Sequence, residues 1–332
     1  MEAIGIGDLH LTSHNGNGAL SKYCKDSDEV ILKQASLAVE YGLRQGIRNI
    51  FLYGDVCDGP KMSYRAHQAL FNFFKQYSLC DFYIITGNHD IVSVGGTHSL
   101  ELLETFNAAL PNVYIFRKPT MVEIDGVTVN FLPYPFKDFK YIALNVCHLE
   151  VSGCSLDSGR ISKSDIDTGE CITVAGHIHT HGKVANCYYS GSPVQTNFGE
   201  KLDKGFHHIR FNSRNDYSID FISQEPSIKL KTLVINTKQD CNVTQERGDV
   251  YRLLIQDGAD VQPQDYMHLN VAQVKSFKTN EDLQSIATAI DYVSIEDIKP
   301  EDVLNELLDA QTNLCDEMRE RIREVRRRVL SK

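Results

Sequence analysis

The stretch Ile50-Phe51-Leu52-Tyr53-Gly54-Asp55-Val56-Cys57-Asp58-Gly59 decides how this chain is read. Its apolar run indicates a buried strand, and Gly54 lets the backbone turn at the strand's end. Asp55 is thereby delivered to a strand terminus, where a carboxylate is costly unless something positive meets it. Two further stretches share this grammar: Ile84-Ile85-Thr86-Gly87-Asn88-His89-Asp90 and Ile172-Thr173-Val174-Ala175-Gly176-His177-Ile178-His179.

Outward from Asp55, strands alternate with helices. Ala3 to Gly7 reads as a strand ending in Asp8-Leu9-His10, and Ser27-Asp28 caps a helix that runs to about Gln45. Strand Arg48–Tyr53, helix Ser63–Tyr77, strand Asp81–Thr86 and helix Thr97–Leu110 follow, a pattern of layered α/β structure with parallel strand pairs. From Val113 hairpins take over, with Asp125-Gly126 as a turn between alternating strands. Tyr141–Val146 leads to His148, Cys171–Ala175 leads to His177 and His179, and Gly205–Phe211 closes a strand-rich half. Ile228–Ile235, Asp249–Ile255 and Met267–Phe277 read as strands of a smaller second domain, with a helical segment near Gln262. After Pro300, Leu304, Leu307, Leu308, Leu314, Met318, Ile322, Val325 and Val329 recur mostly at helical spacing, an amphipathic tail.

The 332 residues, 42% hydrophobic and 23% charged, suffice for one large domain and a smaller one. A net charge of −10, from 34 basic and 44 acidic residues, argues against a protein that grips nucleic acid by global electrostatics. Nucleic acid stays open as a substrate, since bound cations would add local positive charge. Nine cysteines without a C-x-x-C pair suggest neither a disulfide framework nor a zinc knuckle. The N-terminal residues lack the pattern of a signal peptide, and no stretch approaches the ~20 apolar residues of a membrane span. A cytoplasmic protein with no membrane association is expected.

Asp8, His10, Asp55, Asn88, His89, His148, His177 and His179 all follow apolar strands, and parallel strands of a sheet bring their carboxyl ends to one edge. Oxygen and imidazole donors without thiolate suit manganese, iron or zinc better than calcium or a structural zinc cage. Seven ligands from among these eight would exceed the needs of one ion and fit two ions sharing a carboxylate, an arrangement that activates water against phosphate esters. His207-His208, His14 and His98 read as structural or solvated residues, and Gly16-Asn17-Gly18 is a turn with no P-loop Lys-Ser/Thr behind it.

Asp8-x-His10, Gly54-Asp55-x-x-Asp58, Gly87-Asn88-His89-Asp90, His148 and Gly176-His177-x-His179 resemble, in order, the five motifs of the calcineurin-like metallophosphoesterase superfamily. The resemblance implies an α/β four-layer sandwich, two mixed β-sheets flanked by helices. It implies one ion held by Asp8, His10, Asp55 and His179 and another by Asp55, Asn88, His148 and His177, with Asp55 as the bridge. His89 would hold no metal and would stabilise the pentacovalent transition state or protonate the leaving oxygen, oriented by Asp90. Asp58 stands where archaeal and eukaryotic relatives carry His, as in bacterial ones, and joins the catalytic set by positioning DNA or the proton. Leu11-Thr12 replaces the usual Leu-Gly without touching a ligand.

Within the superfamily the chain is similar to the SbcD-type DNA-repair nucleases, including exonuclease subunits of large phages. This likeness extends through Tyr189-Ser190-Gly191-Ser192-Pro193 and Lys204-Gly205-Phe206. It implies a nuclease domain over 1–225, a small α+β DNA-capping domain over 226–292, and C-terminal helices over 293–332 that dock an SbcC-type coiled-coil ABC ATPase. Also implied are a homodimer, two divalent ions with manganese preferred over magnesium, iron or zinc, and work on DNA in recombination, repair or replication. For a phage-encoded chain the site of action is the host cytoplasm. The alternative is another metallophosphoesterase acting on nucleotides or small phosphodiesters. Gly59-Pro60 and Asp90 depart from the Arg-Gly and Glu of serine/threonine phosphatases at the matching places.

Overall fold

Alternation in the first strands sorts their side chains to two faces, and the layers follow from it. In the computed structural model, which describes residues 1–157, 159–280 and 282–283, β1 (Glu2–Ile6) is followed by α1 (Ser27–Arg44), β2 (Asn49–Leu52), α2 (Tyr64–Gln76), β3 (Asp81–Ile85), α3 (Glu101–Thr105) and β4 (Val113–Phe116). Ile4, Ile6, Ile50, Leu52, Phe82 and Ile84 face the helices, joining Ile31, Ala35, Val39, Leu70 and Phe74 in one core. Ala3, Phe51, Tyr53 and Ile85 face the opposite way.

A second sheet meets that opposite face. It comprises β5 (Thr120–Ile124), β6 (Val127–Leu132), β7 (Leu144–His148), β8 (Thr173–Gly176), β9 (Gly182–Val184) and β10 (Cys187–Tyr189), in the order β5-β6-β7-β8-β10-β9. Val129, Phe131, Leu144, Val146 and Val174 pack against Phe51 and Tyr53, with the Phe51 and Phe131 rings edge to face at 5.4 Å. The chain then returns to the first sheet through β11 (Lys204–Ser213) and β12 (Asp216–Gln224), completing the order β12-β11-β1-β2-β3-β4. β1 to β4 are mutually parallel, as are β6, β7, β8 and β10, while β11 runs antiparallel to β1. Parallel strands in both sheets therefore send their carboxyl ends toward one rim.

Helices are few. Among the described residues α1 and α2 pack on the first sheet; the outer face of the second is covered by irregular chain, whose Tyr134, Phe136, Phe139, Leu156 and Ile166 pack on Leu132, Cys147, Ala175 and Tyr189. The expected helix over Thr97–Leu110 shrinks to α3 and a 3-10 turn at Asn107–Ala109. Its first residues are held elsewhere, because Ser99 donates from its amide to the Asp90 carbonyl and from its hydroxyl to the Asp90 carboxylate. Asp28 does not cap α1 either: its carboxylate accepts from the amide and hydroxyl of Thr12, both at 2.8 Å, tying the loop after His10 to the helix. Ser63 does cap α2, accepting from the Ala66 amide. Asp125 and Gly126 have φ of 49° and 76°, the positive pair that a tight hairpin turn requires.

Beyond the two large sheets, β13 (Lys229–Ile235), β14 (Asp249–Gln256) and β15 (Val271–Phe277) form a parallel three-stranded sheet, with α4 (Pro263–Tyr266) before the last strand. Ile228, Leu230 and Val250 join the core beneath α1, whereas Ile235, Tyr251, Leu253 and Leu269 make a core of their own. Gln195 bonds the amide of Leu230 through Oε1 and its carbonyl through Nε2. The amphipathic tail over 293–332 lies outside the described residues. Among those described, every cysteine is free, and no helix is long and apolar enough to cross a membrane.

Candidate metal centre

Asp8 and His10 follow β1, Asp55 follows β2, Asn88 and His89 follow β3, His148 ends β7, and His177 and His179 follow β8. The turns that present them are strained. Asp8, His10, Asp55 and His177 have φ of 47°, 50°, 47° and 87°, so four of the six described non-glycine residues with positive φ are expected ligands. Each such conformation costs on the order of 1–3 kcal/mol and persists where the surroundings over-determine it. Gly87 is demanded by this crowding: a Cβ there would lie 2.1 Å from Asp55 Oδ1.

Asp8, His10 and His179 bring one donor atom each within 4.8 Å of one another. His10 Nδ1 lies 2.9 Å from Asp58 Oδ1, and His179 Nδ1 lies 3.0 Å from Glu200 Oε1. Carboxylates only accept, so both Nδ1 atoms carry protons, and in the neutral ring each Nε2 is the acceptor. Those two Nε2 atoms face each other at 3.1 Å. Asp8 adds Oδ2, a buried oxygen without a hydrogen-bond partner. With both rings neutral, Asp8, His10 and His179 offer three acceptor atoms to one cation.

Asp55, His148 and His177 form a second group of the same span. His148 Nδ1 donates to the Tyr53 carbonyl at 2.8 Å, and Nε2, the acceptor in the neutral ring, lies 2.9 Å from Asn88 Oδ1. The same Asn88 oxygen lies 2.9 Å from His177 Nδ1. Asp55 stands between the groups, its Oδ2 3.2 Å from His148 Nε2 and 3.6 Å from His10 Nε2. Asp58, His10 and His89 also cluster, but there the His10 proton already fills the space.

Without an ion the same pocket draws protons to two of its rings. Burial works against charging either ring, yet Asp55 pushes His148 up to about 9 and Glu200 pushes His179 up to about 10. Burial also opposes the Asp55 charge, and His148 with its neighbours outweighs it, holding this carboxyl well below its usual range. His177 is pushed down to about 3 by burial and by the nearby His148. Positive charge in this pocket thus goes where a carboxylate backs the ring.

All seven expected ligands therefore reach one of the two groups, and His89 lies beside them, its ring 4.9 Å from that of His10. Asp90 is placed otherwise than expected. Its two oxygens accept from the amides of Val56, Cys57 and Gly87 and from the Ser99 hydroxyl, so it clamps the Asp55 turn to the Asn88 loop and does not orient His89. The carboxylate beside His89 is Asp58, with Oδ1 3.4 Å from His89 Nδ1. His207 is buried against the Tyr53 hydroxyl and His98 pairs with Glu104, both outside the centre. Sequence reasoning missed Glu200, Thr196 and Lys204, which lie in the loop and strand after β10. Their signal was a Glu and a Lys four residues apart that are both fully buried, a pairing invisible before folding.

Residues 1–203 match the family model for calcineurin-like phosphoesterases. Exonuclease subunit 1 of Enterobacteria phage T4 is 28% identical over 229 residues, 62% of this chain and 63% of that protein. Protein 244L of Invertebrate iridescent virus 6, named as a phosphoesterase, is 27% identical over 161 residues, 42% of this chain and 56% of its own length. The chain thus spans less than two thirds of either relative. Among solved structures, an archaeal phosphodiesterase aligns with 68% of this chain and all of its own, at 12% identity and a TM-score of 0.33.

Proposed function

Because the chain belongs to the calcineurin-like phosphoesterase family, a family of phosphoester hydrolases with a dimetal centre, we propose that it is a DNA phosphodiesterase: the nuclease subunit of a complex with an SbcC-type ATPase. The observation that carries the dimetal reading is the convergence of Asp8, His10 and His179 on one point and of Asp55, His148 and His177 on another, with the orphaned Asp8 Oδ2 in the first group. Asp8, His10, Asp55 and His179 would hold one ion, and Asp55, Asn88, His148 and His177 the other. Bound there, divalent cations, manganese first among them, would supply a water of lowered pKa and offset the charge added at phosphorus. Asp55 fixes the spacing of the two positions. His89 handles the proton: with Asp58 beside Nδ1, its ring would protonate the leaving oxygen.

DNA as the substrate is supported by the name of the phage relative, and its being a subunit supports a partner. On this reading residues 226–292 cap the DNA, residues 293–332 dock the ATPase coiled coil, and the active particle is a homodimer. With a net charge of −10, contacts to phosphate fall to the ions and the partner. End-labelled duplex DNA incubated with manganese, with and without the candidate ATPase, tests the proposal. Shortened or nicked products are expected. Hydrolysis of bis-p-nitrophenyl phosphate with intact DNA would overturn the nuclease assignment and leave a phosphodiesterase of small substrates.

A further inference from the structure

The two ion positions are backed by different chemistry. Around Asp8, each imidazole gives its distal proton to a carboxylate: His10 to Asp58 at 2.9 Å and His179 to Glu200 at 3.0 Å. Around Asn88 the backing of His148 is neutral: it donates to the Tyr53 carbonyl, Asp8 Oδ1 at 3.9 Å being too far to accept. A carboxylate behind an imidazole fixes the ring and makes it a more basic ligand.

Glu200 is built in for this. Its side chain is fully buried, Oε2 meets Lys204 Nζ at 2.5 Å and the Thr196 amide at 3.2 Å, and Oε1 receives Asn197 Nδ2 at 2.9 Å together with the Thr196 hydroxyl. Lys204 completes its own set with the His179 carbonyl at 2.9 Å and Ser192 Oγ at 3.0 Å. The network therefore holds His179 by both its ring and its backbone. A buried ion pair adds little stability over apolar packing of the same volume. What this pair adds is a fixed, ionised acceptor behind a ligand.

On the dimetal reading, on which this rests, we propose that Glu200, held in place by Lys204, is a positioning residue for His179 and makes the Asp8/His10/His179 position the tighter ion site, filled before the Asn88/His148/His177 position. Manganese titrated into the chelator-stripped full chain, followed by calorimetry and by the electron paramagnetic resonance of the free ion, tests it. Wild type should take two ions in two resolved steps. Glu200→Gln should weaken the tighter step on the order of 10–100-fold and leave the weaker one unchanged. Because that variant strands the Lys204 ammonium, Glu200→Gln/Lys204→Met is measured beside it and should behave alike. His148→Ala should keep the tighter step. Two equal steps in wild type, an equal weakening of both steps in the double variant, or loss of the tighter step in His148→Ala would overturn the proposal. A wild-type chain that takes no manganese would instead overturn the dimetal reading beneath it.

Discussion

His89 keeps 11% of its side chain exposed beside the ion groups without joining either. Its neighbour Asp90 is closed off, with four hydrogen bonds to its carboxylate. The two should fail differently. His89→Ala should bind manganese as wild type does and lose ~10²–10⁴ in kcat, read by metal analysis alongside a hydrolysis assay. Asp90→Ala leaves three buried amides unpaired and should lower unfolding free energy by about 3 kcal/mol or more in urea. A wild-type denaturation midpoint in that variant would refute the clamp. The convergence of the candidate ligands was legible in sequence because each follows a strand and takes its place in an ordered set of motifs. Asp90 was legible only as the neighbour of His89, and adjacency along a chain does not say which way a side chain turns.

Among the elements, β11 carries a titration that the sequence did not reveal. Burial holds the His207 imidazole down at about 3, from an ordinary value of 6.5. Between these values the unfolded chain binds a proton that the folded chain refuses, so this contribution is intact above pH 6.5 and is lost as pH falls toward 3. At about 1.4 kcal/mol per pH unit, the loss from pH 6.5 to 5 is about 2 kcal/mol. Urea denaturation at the two pH values should show that drop in wild type and a smaller one in His207→Gln; equal drops would mean that His207 charges freely in the fold. Strand cores were readable from apolar runs such as Ile50–Tyr53. The ends of α1 and α2 were readable as well; the role of Asp28 and the extent of the Thr97–Leu110 helix were not, since Asp28 turned to Thr12 and Ser99 to Asp90, partners supplied by loops that only the folded chain brings near.

At the scale of the molecule, the candidate centre lies at the rim where the parallel strands of two sheets end. β1, β2 and β3 of one sheet and β7 and β8 of the other each deliver part of the centre, so neither sheet alone holds a complete ion position. The layered α/β architecture was legible from alternating strands and helices. The irregular cover over the second sheet was not, because Tyr134, Phe136 and Phe139 have no periodicity to announce their burial. Asp55 is the point where the two halves meet. Manganese content and bis-p-nitrophenyl phosphate turnover, measured on the same preparations of wild type and Asp55→Ala, test the shared centre most directly. Two ions per chain with hydrolysis are expected in wild type, and loss of both metal and turnover in the variant. Turnover that persists in Asp55→Ala, or in wild type stripped of divalent metal, would contradict a dimetal phosphodiesterase.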